Sequence, residues 1–316
     1  MALITLSELK KLGYDDLASG LAESIITVNP IYNILPFNTT YGNAYAFNRE
    51  KTLGNVVSGG RGQSTTNVKG SITFEQIALP LNTIIGDAEI AGQDLAQGIG
   101  ETAGNDPVAL QVAGKAKAIG MEFQRQMVLG DSASPAASNI TGVTNSGEFD
   151  GLIKILDSAA FADQKLDKAD AALTLDMLDE LIHAVTAADA QFLMTNGRGV
   201  RKILSLMRQA GGVTMGELAG KQVPVWNGVP IFRNEYITAD VDGVTAGSQT
   251  HIFAGCFDDG TRKLGMSGVI PTAGALTVDD VGYAENADVL IKRVKMYSTF
   301  AVHSVKSVAA LWSVTV

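Results

Sequence analysis

Cysteine is nearly absent from this chain: Cys256 stands alone among 316 residues. A single thiol closes no intrachain disulfide and builds no cysteine zinc site, so a buried core must hold the fold, as expected of a chain made in a reducing cytoplasm. Histidine is scarce as well. His183, His251 and His303 lie far apart, without a His-Glu-x-x-His or comparable spacing, and no metal centre is expected. His183 follows Asp179 by four residues and reads as half of a surface pair, while His303 beside Val302 reads as partly buried. No apolar run approaches a membrane span, and Met1 to Lys11 lacks the basic-then-apolar order of a signal sequence. There is no GxxxxGK[ST] phosphate loop, and no serine or cysteine sits in a nucleophile motif. Positive charge is also short: 24 Lys and Arg stand against 33 Asp and Glu, a net charge of −9. That balance argues against a tight, sequence-independent hold on DNA phosphates. Neither an enzyme nor a cofactor or metal site is expected.

What is present is a large folding core, because 46% of the residues are hydrophobic and only 18% charged. Its central stretch runs from Asp106 to Gly130. Asp106 suits an N-cap, Pro107 suits the first helical position, and Gly130 suits the stop. Between them Val108, Val112, Ala116, Ile119, Phe123 and Met127 recur at helical spacing. A helix of this span is roughly 35 Å long at about 1.5 Å per residue. Gly114 and Gly120 weaken it, which predicts a close approach of other backbone there.

Around that helix the chain reads as follows. Residues 7 to 25 form an amphipathic helix capped by Ser7, which must dock on its own body or a neighbour because Pro30 and Pro36 set it on an extended tether. Tyr41 to Lys51 and Lys69 to Leu81 are two strands, with Tyr45, Phe47, Ile72 and Phe74 alternating with small or polar residues. The connection between them, with Gly59, Gly60, Arg61, Gly62 and Gln63, is too long for a simple hairpin turn and reads as a functional arm or a loose tip. After a linker from Asp131 to Ser146 comes a mixed α/β block. Leu175, Leu178, Leu181, Ile182 and Val185 mark a helix, Gln191 to Thr195 a buried strand, and Asn196 the cap of a further helix ending by Gly211 and Gly212. Val223 to Trp226 and Val229 to Phe232 flank Asn227-Gly228, a strong hairpin signal. His251 to Phe257, Ala287 to Tyr297 and Leu311 to Val316 are strand-like, and the last two must be paired or covered.

Few residues suggest chemistry. Thr195 to Gly199 could hold an anion on its amides, but helix capping explains the same residues. Asp258-Asp259 and Asp279-Asp280 could contribute to a cation site, although Asp259-Gly260 is first of all a turn. Charge is distributed unevenly instead. From Lys51 to Lys69 there is no acid, only Lys51, Arg61 and Lys69; from Gly70 to Gly114 there is no base, while Glu75, Asp87, Glu89, Asp94, Glu101 and Asp106 occur. A basic arm beside an acidic platform suggests head-to-tail pairing of copies, with Arg49, Glu50, Lys51, Arg61 and Lys69 on one side and Asp87, Glu89, Asp94 and Glu101 on the other. A solvated hairpin beside a solvated acidic face explains the same pattern.

The order of parts, an arm, a long two-stranded flap, a very long helix, an α/β block and returning strands, resembles the major capsid protein of tailed bacteriophages, with the Hong Kong 97-type fold also seen in encapsulin shells. Phrases carry the resemblance too: Ile31 to Phe37 with Tyr41-Gly42-Asn43 and Asn48-Arg49-Glu50, Glu122-Phe123-Gln124-Arg125 with Gly130-Asp131, Phe149-Asp150-Gly151-Leu152, Leu193-Met194-Thr195-Asn196 and Val225 to Pro230. The resemblance implies an α+β fold with an N-arm over 1–40, an extended E-loop over 41–80, a peripheral domain over 81–147 completed by 286–316, and an axial domain over 148–285. The loop from Gln209 to Gln222 would point to the five-fold and quasi-six-fold axes. It further implies hexamers and pentamers of one chain, an icosahedral head enclosing double-stranded DNA without sequence-specific contact, and assembly in the host bacterial cytoplasm, with no membrane. Because the sequence starts at the arm, scaffolding is expected from a separate protein, alongside portal and decoration proteins. Some members cross-link a flap Lys to an Asn through a Glu in the last strands. Lys51 or Lys69 could serve as the Lys, but no Glu follows Glu285 and Lys295-Met296 stands near its expected place, so no such cross-link is expected.

Overall fold

Asp106 caps the long helix as its sequence requires, its carboxylate accepting from the Val108 amide at 2.9 Å. We describe the chain from a computed structural model covering residues 31–56, 58, 70–96, 106–136, 147–218, 221–237 and 249–316. The helix expected over 7–25, Pro30, Glu101, and the flap tip with Gly59, Gly60, Arg61, Gly62, Gln63 and Lys69 lie outside the described residues. In chain order the first strands are β1 (Phe37–Thr40), β2 (Ala44–Thr52), β3 (Thr73–Pro80), β4 (Asn82–Ala91), β5 (Lys165–Asp167), β6 (Phe192–Thr195) and β7 (Thr214–Leu218). There follow β8 (Lys221–Trp226), β9 (Val229–Arg233), β10 (Gln249–Gly255), β11 (Met266–Pro271), β12 (Leu276–Tyr283), β13 (Val289–Val302) and β14 (Val308–Thr315). The three longer helices are α1 (Pro107–Leu129), α2 (Leu175–Ala184) and α3 (Gly197–Gln209).

β13 organises the first sheet. It pairs antiparallel with β4 along one side, and with β12 and then β11 along the other, while β1 adds in parallel to β11. α1 lies across this sheet and buries Ile119, Phe123 and Met127 against Ile84, Val294, Met296 and Phe300. The expected apolar stripe is the stripe observed. Near the helix end Arg125 pairs with Glu122 and with the buried Glu148, which ties α1 to the chain returning at 147–151.

The second sheet has seven strands in the order β5-β14-β10-β6-β9-β8-β7. Alternation along its strands divides two cores. Phe192, Met194, Phe232, Phe253 and Trp312 face the core shared with α1; Leu193, Ile231, Ile252 and Leu311 face Leu178 and Leu181 of α2 and Ile203 and Met207 of α3. Asn227 (φ 47°) and Gly228 (φ 84°) form the tight turn of the β8–β9 hairpin, a left-handed backbone that Asn tolerates and that Gly, lacking a Cβ, adopts freely.

Several expectations change. β11 and β12 fall inside the stretch assigned to an axial domain, yet they hydrogen-bond in the sheet under α1. β14, expected to complete the peripheral domain, sits instead between β5 and β10 of the seven-stranded sheet. β11 and β14 are mostly buried strands, which carry no mark of which sheet they join, and the pairing of β12 with β13 across the chain leaves no local mark either. Gly114 and Gly120 have nothing among the described residues within 4 Å of where a Cβ would stand, so the expected close approach is not made by any of them. The close approach is at the helix end, where the Gly151 amide donates to the Gly130 carbonyl at 2.9 Å and a Cβ on Gly130 would meet the Phe149 carbonyl at 2.2 Å. Asp179 does not pair with His183; its carboxylate accepts from Trp226 Nε1 at 2.8 Å and Asn227 Nδ2 at 2.6 Å. The β8–β9 hairpin turn is thereby fastened to α2.

Candidate inter-subunit surface

The flap is built from β2 and β3, antiparallel from Ala44↔Pro80 out to Thr52↔Thr73. Only its root touches the body. Tyr45 is buried with Val269 and Ala301, and Phe47, Leu79 and Leu81 pack beside them. Beyond that point the two strands have no third strand and no covering helix among the described residues. Leu53, Val56, Ile72 and Phe74 are exposed by 72%, 93%, 51% and 63%. An isolated two-stranded ribbon is marginal in water, and clustered exposed apolar side chains mark a contact surface. The sequence placed Ile72 and Phe74 in an alternating strand; the structure leaves both without an internal partner.

A cage of polar groups fixes the root. His303 is 2% exposed. Its Nδ1 lies 3.3 Å from the Gly265 carbonyl, which can only accept, so Nδ1 carries the proton and Nε2 accepts from the Tyr45 hydroxyl at 2.9 Å. Arg49 donates to the carbonyls of Val302 at 2.9 Å and His303 at 3.1 Å, and lies over the Phe161 ring at 5.3 Å. Burial pulls its pKa below the usual guanidinium value, with Glu75 across the ribbon acting the other way. Arg262 donates to the Thr39 carbonyl at 3.0 Å, and Asp258 accepts from Asn38 Nδ2 at 2.6 Å.

This cage has a pH dependence. Burial lowers the His303 pKa below 6.5, Arg262 and Arg49 push it the same way, and Asp258 with the Gly265 carbonyl oppose them. The unfolded chain then binds a proton that the folded root resists, so stability is complete above about pH 6.5 and falls as pH drops through and below that value. Protection factors in β2 and β3, exchange corrected for its base-catalysed intrinsic rate, should fall at pH 5 relative to pH 8 in the native chain and stay flat in His303→Gln. An equal fall in that variant would assign the effect to another group.

The expected contact residues are scattered by the fold. Glu50 and Lys51 are exposed on the flap, whereas Arg49 is committed to its own subunit. The acidic run is not an open acidic platform. β13 lies between β4 and β12 and brings its own bases: Arg293 holds Asp87 through two bonds of 2.8 and 2.9 Å, while Lys292 and Lys295 pair with Asp280 and Asp279. The Arg293 hydrogen bond holds the Asp87 carboxyl below the usual carboxylate range. Asp94 is buried, and one oxygen of Glu89 is buried without a partner. Asp279-Asp280 is therefore a pair of ion-pair acceptors and not a cation site. The Thr195 to Gly199 turn is occupied by its own cap, with Asn196 Oδ1 on the Gly199 amide at 2.8 Å. Among the described residues no group of His, Cys, Asp and Glu is placed to hold a metal ion.

A flap on a caged root, a long helix across a sheet strung on one strand, and a second sheet with helices on its far face together define the Hong Kong 97-type shell fold. The sequence matches no family model and no curated protein. Solved structures match along the whole chain. The holo-SrpI encapsulin complex from Synechococcus elongatus PCC 7942 is similar at TM-score 0.69 and 15% identity, covering 100% of this chain and 97% of that one. The capsid of Myoviridae phage XM1 is similar at TM-score 0.60 and 14% identity, covering 99% of each chain. The capsid of an empty GTA particle is similar at TM-score 0.60 and 12% identity, covering 94% of this chain and 99% of that one.

Proposed function

We propose that this chain is a structural subunit that self-assembles into a closed shell, and that the shell is the icosahedral head of a tailed phage enclosing double-stranded DNA. The observation that carries the reading is the flap: a two-stranded arm with exposed Leu53, Val56, Ile72 and Phe74, which nothing among the described residues covers, on a fold shared end to end with shell proteins. The net charge of −9 suits an inner wall along which a packaged genome slides. Hexamers and pentamers assembled in the host cytoplasm, with separate scaffolding, portal and decoration proteins, complete this reading, and no catalytic step belongs to it. A second reading, a compartment shell around protein cargo, is favoured by the higher TM-score of 0.69 to the encapsulin.

Negative-stain electron microscopy of the purified chain should show uniform closed particles. A chain that stays monomeric at high concentration, with and without a scaffold from the same source, would overturn the shell reading. Particles isolated from the natural source separate the two contents: nuclease-protected double-stranded DNA supports the phage head, and a co-purifying enzyme supports the compartment.

A further inference from the structure

The two ends of β13 carry surfaces that complement each other and cannot meet within one chain. At its C-terminal end the flap root and the segments 262–264 and 303–306 enclose a cleft of about 780 Å³. Arg49, Arg262, Lys263 and Lys306 line it against one acid, Glu50, and Phe74 and Leu264 add exposed apolar surface. Arg49 and Arg262 are held by backbone carbonyls, and Lys306 lies 3.9 Å from Asp163 and 3.1 Å from the side-chain oxygen of Gln164. This is a concentration of positive charge on a chain whose net charge is −9.

At the other end, the β12–β13 turn projects Tyr283, 62% exposed, with Glu285 and Asp288 also exposed. Lys292 and Lys295 of β13 pair with Asp280 and Asp279, and among the described residues no ion pair reaches Glu285 or Asp288. The turn is also held in shape: Ala284 donates to the Val289 carbonyl at 3.0 Å, and Gly92 donates to the Asp288 carbonyl at 2.9 Å. β13 has 14 residues. At about 3.3 Å per residue the turn and the cleft stand roughly 45 Å apart on one rigid strand.

We infer that the flap-root cleft receives the acidic β12–β13 turn of a second copy, with Glu285 and Asp288 meeting Lys263 and Lys306, and Tyr283 lying among Arg262, Phe74 and Leu264. The contact is heterologous, since each copy offers a cleft at one end and a turn at the other, and such contacts propagate until a ring or shell closes. The charge pairing selects partner and register more than it adds affinity. This inference rests on the shell reading above and specifies which surfaces touch.

A charge swap tests it. Lys263→Glu with Lys306→Glu should lower particle yield at least tenfold, as should Glu285→Lys with Asp288→Lys, each leaving a folded subunit by circular dichroism. All four changes in one chain should restore assembly. A cleft variant that loses assembly and is not rescued by the swapped turn would assign the cleft to another acidic partner, such as a scaffold segment or nucleic acid, and overturn the inference. Full assembly by both double variants would overturn it as well. Should the reversals unfold the chain, Lys263→Cys with Glu285→Cys gives an independent reading. Oxidised particles must then show a ladder of disulfide-linked chains on denaturing gels, to which buried Cys256 does not contribute. A failure of the native chain to form particles, by contrast, strikes the shell reading itself.

Discussion

Arg49→Ala is expected to abolish shell assembly while leaving a folded subunit. The guanidinium is the β2 side chain that satisfies the Val302 and His303 carbonyls at the end of β13, beside the Tyr45 hydroxyl on the His303 ring. Removing it strands both acceptors in a half-buried site and deletes two charge-assisted bonds. Such bonds contribute about 1.5–3 kcal/mol each, and water reaches the site in part, so a local loss of about 3 kcal/mol is expected. That loss exceeds what a two-stranded ribbon can absorb. The core around α1 is untouched, so the urea midpoint of the subunit should move much less than amide protection in β2 and β3. Lys51→Ala, two residues further out and fully in solvent, should change neither by more than about 0.5 kcal/mol. Particles formed at native yield by Arg49→Ala would show that the flap angle is set elsewhere. Reversing Arg49, Lys51 and Arg61 together would confound this internal anchor with any salt-dependent attraction between copies, so the anchor must be tested alone.

The contrast between Arg49 and Lys51 shows where the sequence was legible. Periodicity is local, and it placed the flap strands, α1 and its Asp106 cap, α2 and α3, and the Asn227-Gly228 turn. Pairing across long separations leaves no local mark. The acidic run from Gly70 to Gly114 looks unopposed along the chain, yet Asp87 meets Arg293 across 206 residues because β4 lies beside β13. Tyr45 meets His303 across 258 residues. Arg49 looked like a contact residue for the same reason: its partners are backbone carbonyls, which no side-chain pattern announces. The basic cleft was equally hidden, since its cations come from β2, from 262–263 and from 306. The β12–β13 turn shows the same limit, since the stretch without Lys or Arg from Leu264 to Ile291 is visible in the sequence, yet Asp279 and Asp280 within it are paired by Lys295 and Lys292 while Glu285 and Asp288 are exposed.

Phe123→Ala and Gly120→Ala should pull the long helix in opposite directions. Phe123 is fully buried, and its ring lies 5.8 Å from Phe37 of β1 and 5.5 Å from Phe149, so it joins three segments that are far apart in sequence. Truncating it opens a cavity that these rings cannot close together, at a cost of about 4 kcal/mol in the urea unfolding of the subunit. Gly120 is the opposite case. It costs helical stability, and among the described residues nothing within 4 Å of its missing Cβ repays that cost. Alanine there should raise subunit stability by about 0.5–1 kcal/mol. Assembly then decides why a glycine stands at 120. Native particle yield from the stabilised variant means the position is neutral in the shell. A stabilised subunit that no longer assembles means that the face of α1 at Gly120, bare in the single chain, is where a neighbouring copy closes to backbone distance.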